Sequence, residues 1–296
     1  MVVLVEFVLR ASSGGGLPWF VGHECRAGFI SLVSQLDSEL GSMFHEGSSF
    51  SDRRKAVFSL KPLQFISGFE IVFPERSFRR FLIDGNVVFK PGAQATMSVA
   101  VLDEGLASRL LYRLLSSVGS LKLSIKGYEF IVEKLSFEIV NLREMTVGEA
   151  FEEVDIEFVT PTYFNPIHGD AEYKVLYPDP TLMLASLAST SYQLTGTAYP
   201  KPEELASNTY ISGLDIKTPM IKEARGEAPT GFVGWVKLRL KEKTDEEIKK
   251  KISGLLRLGE ITNVGGNRSG GYGVIKLKTK QEDKTRRNEE GKPTKP

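Results

Sequence analysis

The first positions after Met1, VVLVEFVLR, are β-branched and apolar with polar residues at alternate places, which predicts a strand over Met1–Arg10. A loop is expected at Ala11–Pro18, where three glycines stand together. From Cys25 to Met43 the period changes. Phe29, Leu32, Val33, Leu36, Leu40 and Met43 recur at helical spacing and predict one amphipathic helix. Strand patterns return at Ala56–Leu60, Phe65–Phe73 and Asn86–Leu102. Leu110, Leu111, Leu114 and Leu115 mark a second helix over Ala107–Val118, and Leu121–Val140 reads as a hairpin turning at Lys126-Gly127. Strand, helix, two strands, helix, strand is the split βαβ order of a ferredoxin-like domain.

The second half repeats that order. Glu153–Thr160 alternates apolar and acidic residues, Pro180–Ser191 is helical, Ile211–Ile216 is a short strand, and Gly231–Leu240 alternates as a half-buried strand should. Thr244 with Glu247 three residues on forms a capping box for a helix over Asp245–Leu258. A glycine-rich loop and a last strand at Tyr272–Lys278 complete the series. The expected fold is therefore α+β: two tandem ferredoxin-like βαββαβ domains, residues 1–145 and 146–279, the second with a C-terminal glycine-rich loop. Residues 280–296 are charged, without apolar residues, and read as a disordered tail.

Composition narrows the function. Among 296 residues, 38 Lys and Arg balance 37 Asp and Glu for a formal net charge of +1, so RNA binding must rest on where cations sit rather than on their number. The single cysteine, Cys25, forms no internal disulfide and reads as a small buried apolar residue. The N-terminal segment lacks the basic region of a secretory signal, and no apolar run reaches the roughly 20 residues of a membrane helix. A cytoplasmic protein without a membrane partner is expected.

The segment VGGNRSGGYG, Val264–Gly273, is the strongest local signal, five of its residues being glycine. Such a loop brings backbone amides close to an anion, and Arg268 adds a bidentate phosphate donor. Gly265, Gly266, Asn267, Arg268, Ser269, Gly270 and Gly271 are thus candidate RNA contacts; a long helix-to-strand turn is the other reading. The loop follows a helix, whereas Walker and dinucleotide loops open one, and GxxxxGK[ST] is absent, so a nucleotide enzyme is a poor fit. His45, at the end of the first helix, and Lys55, beside Arg53 and Arg54, suit proton transfer and charge stabilisation in phosphoryl transfer. The same residues also suit a helix C-terminus and a solvated turn. His23, before the first helix, is a further RNA-binding candidate, and His168 reads as structural or solvent-exposed. Three scattered histidines without HExxH spacing give no metal site and no cofactor.

Three segments together resemble the CRISPR-associated repeat-processing endoribonucleases, the Cas-six family. They are Phe20–Leu63, with a helix, then Lys55 ahead of Phe58-Ser59; Val154–Phe164, VDIEFVTPTYF; and Gly231–Leu277, which contains the glycine-rich loop. The resemblance implies two ferredoxin-like domains with a basic cleft for CRISPR repeat RNA. It also implies metal-independent cleavage, the 2′-hydroxyl attacking the adjacent phosphate to leave a 2′,3′-cyclic phosphate. Family sites often combine Tyr, His and Lys. His45 and Lys55 match, but the helix carries Phe29 and Ser31 where the Tyr is expected, so Arg268 and Ser269 enter as alternatives. A non-catalytic RNA-binding subunit of a CRISPR effector complex is the alternative function. Effector subunits and a second copy of the chain are candidate partners, and Tyr272 and Trp235 are candidate stacking residues whose default is core packing.

Overall fold

The computed structural model describes residues 2–46, 56–73, 85–142, 150–167, 173–219 and 231–279. Arg53, Arg54, Lys55, His168, the expected boundary at 145/146 and the tail lie outside them.

The first sheet is built from β1 (Val2–Ala11), β2 (Gly15–Pro18), β3 (Phe58–Val72), β4 (Asn86–Val101), β5 (Lys122–Ile125) and β6 (Tyr128–Val140). Helices α1 (Gly22–Leu36), α2 (Ser38–Glu46) and α3 (Glu104–Ser116) connect them. The sheet is antiparallel, and its main strands lie in the order β3-β4-β1-β6. Numbering β1, β3, β4 and β6 from 1 to 4, this is 4-1-3-2, the ferredoxin-like order. The central strand β1 buries Val3, Val5, Phe7 and Leu9 on one face, where α1, α2 and α3 cover them. Phe29 of α1 meets Phe44 of α2 and Phe58 of β3 at ring-centroid distances of 5.4 Å, so α2 folds back along α1.

The second sheet repeats the plan. Strands β7 (Glu153–Thr162), β8 (Thr209–Lys217), β9 (Phe232–Leu240) and β10 (Ile275–Thr279) pair antiparallel in the order β10-β7-β9-β8, again 4-1-3-2. Helices α4 (Pro180–Thr195), α5 (Pro202–Ser207) and α6 (Glu246–Thr262) join them, and α4 and α6 bury Leu184, Leu187, Ile252 and Leu255 against Ile156, Phe158 and Val236.

Several expected elements change at their edges. The single helix predicted over Cys25–Met43 is two helices, because Asp37 adopts an extended conformation, accepts a hydrogen bond from Leu40 N at 3.0 Å, and pairs with Arg109 and Arg113 of α3. The strands expected at Ala56–Leu60 and Phe65–Phe73 are one strand, β3, whose register slips between Lys61 and Phe69. Part of the expected Ala11–Pro18 loop is strand β2, paired with β4. Asp245, not Thr244, caps α6, accepting from Glu247 N at 2.8 Å. The last strand starts at Ile275; Tyr272 stays in the loop, fully buried. Cys25 is buried as expected, and burial pushes its thiol up to about 12. Among the described residues no helix is long and apolar enough to cross a membrane.

The two sheets meet through α6 and the loop after it. Leu258 and Ile261 pack with Val2, Ala100, Val140 and Leu142 of the first unit, and Ser59 Oγ donates to Ile261 O at 3.0 Å. Gly22, opening α1, lies against the Gly270 carbonyl, and a methyl group added there would overlap it.

Two outcomes follow from these contacts. The Arg109 and Arg113 guanidiniums hold the Asp37 carboxyl down at about 2, from an ordinary 3.8. A depressed carboxyl contributes stability that is present above its unfolded value and lost as pH falls through the folded one. Thermal melts of the wild type should therefore lose stability between about pH 4 and 2, and Asp37→Asn should lower Tm at neutral pH while flattening that acid drop. Gly22→Ala should destabilise by about 1–3 kcal/mol, as overpacking does, read as a lower urea midpoint; an unchanged midpoint would mean the loop is not tightly seated on α1.

Candidate nucleic-acid interface

Helix α6 ends at Thr262, and the capping residue Asn263 takes a positive φ of 58° with an extended ψ of 173°. The chain then forms a tight loop. Val264 N donates to Gly273 O at 2.8 Å, closing its base, and Gly273 itself sits at φ +72°, where a side chain would strike the Val264 carbonyl. A 3-10 turn at Arg268–Gly270 forms its tip.

Most of the loop's backbone faces inward. Gly265 N donates to Ser186 Oγ, Gly266 N to Tyr163 O, Gly270 N to Asn267 O, Gly271 N to Arg268 O and Gly273 N to Pro161 O. Those amides are satisfied inside the protein, so they do not form the anion cradle that the glycine content suggested. Ser269 is 5% exposed, and Gly270 and Gly271 are buried. Gly265 to Arg268 are half-buried, and this stretch carries two side chains, Asn267 and Arg268.

Arg268 donates from Nη1 to the Thr190 hydroxyl of α4 at 2.6 Å. Burial pushes its pKa down to about 10, so it stays charged at neutral pH. A desolvated guanidinium whose partner is a neutral hydroxyl gains by meeting an anion. Asn267 Nδ2 lies 3.3 Å from His23 Nε2, bringing His23 from the first turn of α1 to the loop. The His23 ring stands edge-on to Tyr272, as do Phe20 and Tyr163. Lys174 places its ammonium 4.2 Å from the centre of the Tyr163 ring.

His23 and Asn267 are thus brought together, although 244 residues separate them, while Arg268 next to Asn267 reaches Thr190 of α4. Sequence reasoning did not name Lys174, Tyr163, Ser186, Thr190 or Asn263. Ser186 and Thr190 carried a signal, two hydroxyls four apart on one face of an apolar helix. His45 stands exposed on the last turn of α2. The loop meets α1 at Gly22 and His23, while α2 meets it at Phe29, seven residues on and roughly 10 Å along the axis.

Beside the loop lies a cavity of about 870 Å³ between the two sheets. Phe20 belongs to both, lining the cavity and packing on Tyr272. Trp19, Phe65, Phe69 and Trp235 give the cavity aromatic walls. Its charge is mixed rather than basic. Asp155 and Glu157 of β7 face it with Lys237 of β9 and Lys276 and Lys278 of β10. Lys278 Nζ lies 2.8 Å from Glu157 Oε2, and Lys237 Nζ lies 3.5 Å from Asp155 Oδ1. Trp235 is 41% exposed, so it is available for stacking, whereas Tyr272 is buried and is not. Among the described residues no three His, Cys, Asp or Glu side chains cluster as metal ligands do.

Comparison with known proteins agrees with this architecture. The family model for the CRISPR-associated endoribonuclease Cas6 matches residues 156–275, from β7 through the glycine-rich loop into β10. No curated protein sequence matches. Among solved structures, a product complex of Cas6 (TTHB231) is 20% identical, covers 94% of this chain and 99% of its own, and superposes with a TM-score of 0.67. The same protein from Thermus thermophilus, without that description of a complex, gives 0.65 at 19% identity, over 94% of this chain and 98% of its own. A product complex of a second Cas6 (TTHA0078) gives 0.66 at 22% identity, over 94% and 100%. Over residues 156–275 the chain carries the sequence pattern of the CRISPR-associated endoribonuclease Cas6, and across both sheets it shares the fold of the solved Cas6 structures.

Proposed function

We propose that this protein is an endoribonuclease that binds CRISPR repeat RNA and cuts it, without a metal ion, to give mature guide RNAs. The observation that carries this reading is the Cas6 sequence match over residues 156–275, which takes in a loop holding a desolvated, charged Arg268 next to Asn267, itself 3.3 Å from His23. Two units, residues 1–145 and 146–279, hold the RNA between them, with 280–296 as a charged tail. Single-stranded bases stack on the aromatic walls of the cavity, where Lys276 supplies positive charge.

In the chemical step the 2′-hydroxyl attacks the adjacent phosphorus and the bond to the 5′-oxygen breaks. The products are a 2′,3′-cyclic phosphate and a 5′-hydroxyl. One proton leaves the 2′-oxygen and one reaches the 5′-oxygen. His45 is the proton-transfer group, and its exposure on α2 leaves it open to the substrate. Lys55, with Arg53 and Arg54 beside it, stabilises the charge developing on the phosphate. The protein works in the cytoplasm, and effector-complex subunits and a second copy of the chain are its further partners. The missing helix Tyr favours a second reading, a non-catalytic RNA-binding subunit of an effector complex.

End-labelled repeat RNA incubated with the protein in EDTA should give one cut with a cyclic phosphate end. His45→Ala and Lys55→Ala should each slow it by roughly 10²–10⁴-fold. Tight binding without a cut would select the non-catalytic reading, and neither binding nor cleavage would refute both. Arg268→Ala should weaken RNA binding and lower the slope of log affinity against log salt by about one. Arg286→Ala, in the tail, should do less; equal losses would remove the loop from the binding site.

A further inference from the structure

Asn263 is the least expected residue in the loop. It is fully buried, its backbone has a positive φ, and its side chain crosses from one unit to the other. Nδ2 donates to Leu60 O of β3 at 2.9 Å and to Tyr272 O at 3.1 Å, with Arg268 O at 3.4 Å. Three carbonyls around one nitrogen fix which end of the amide points there. The other end, Oδ1, is buried without a hydrogen-bond partner. Leaving an acceptor unsatisfied is costly, and such groups mark places where another demand prevails.

The geometry shows what that demand is. Arg268 O and Tyr272 O bracket the 3-10 turn, so the amide grips the loop tip at both sides. Its third acceptor, Leu60 O, belongs to β3, which pairs on one side only, with β4. Pro62, close to Gly271, carries the same edge onward. The loop tip is therefore clamped to the open edge of the first sheet, and Asn267 and Arg268 inherit their place from it.

We infer that Asn263 is a positioning residue for RNA binding, through which the first unit sets the side chains that the second unit's loop presents to phosphate. The inference rests on the reading of the protein as an RNA-binding Cas6. Asn263 touches no substrate; it acts through Arg268.

The test pairs an RNA-free readout with an RNA readout. Asn263→Gly accepts the positive-φ backbone and removes the amide. Asn263→Asp keeps the shape but turns a carboxylate toward carbonyl oxygens. Hydrogen exchange at residues 264–273 should quicken in both, more in Asn263→Asp, while β1 and β7 stay protected. Repeat-RNA affinity should fall roughly tenfold, the size of one charge-assisted hydrogen bond. The salt slope should fall by about one. Adding Arg268→Ala should cause no further loss, since both changes remove one contact. A purely structural residue would lower Tm yet leave the salt slope intact and add to Arg268→Ala. That result, or unchanged loop exchange in Asn263→Gly, overturns the inference. A wild type that binds no repeat RNA overturns the reading beneath it, and the exchange data then decide separately whether Asn263 holds the loop. Should Asn263→Asp fail to fold, Asn263→Gly carries both readouts.

Discussion

The structure depends on closing one open strand edge. β3 lies at the end of the first sheet, and an unpaired edge leaves backbone donors and acceptors facing outward. Here the second unit supplies the cover. Asn263 takes the Leu60 carbonyl, Gly270 and Gly271 come against Gly22 and Pro62, and Ser59 reaches the last turn of α6. Side chains with bulk would hold the backbones apart, which is why glycines gather at this contact. The cavity between the sheets and the position of the loop both follow from that seat.

Repetition of one topology in two units explains how such a seat arises. Each unit is a 4-1-3-2 sheet with helices on one face, and each would leave its other face to solvent. The beginning of β1 escapes this by packing Val2 under Leu258 of α6. Farther along, the second sheet's cavity-facing side is polar, with Glu153 paired to Arg239 and Asp155 near Lys237 across neighbouring strands. One end of the contact is dry and the other carries charge, so the units are held at a joint and stand apart beyond it.

Much of this was legible in the sequence, because strands and helices announce themselves by period. The order of elements and the glycine-rich loop stand where the pattern put them. What stayed hidden were features decided by distant partners. Leu36, Leu40 and Met43 continue the helical period across Asp37, and the break is explained by the Leu40 amide that Asp37 caps together with its contacts to Arg109 and Arg113. Phe65 and Leu60 read as separate strands because β3 slips register between them. The loop's composition suggested amides open to phosphate, yet its carbonyl and hydroxyl partners come from Pro161, Tyr163 and Ser186, far away in sequence. His23 could be recognised as a candidate, but not as a neighbour of Asn267. Lys55, Arg53 and Arg54 lie outside the described residues, so their part in the site rests on the chemistry of the motif.

The paired charges of the cavity bear on selectivity among nucleic acids. A protein with a formal net charge of +1, in which Lys237 and Lys278 of the cavity already face carboxylates, exerts little long-range pull on phosphates in general. Sequence-independent attraction scales with the cations free to displace counterions. With so balanced a surface, any selectivity toward a polyanion has to come from local contacts rather than from overall charge.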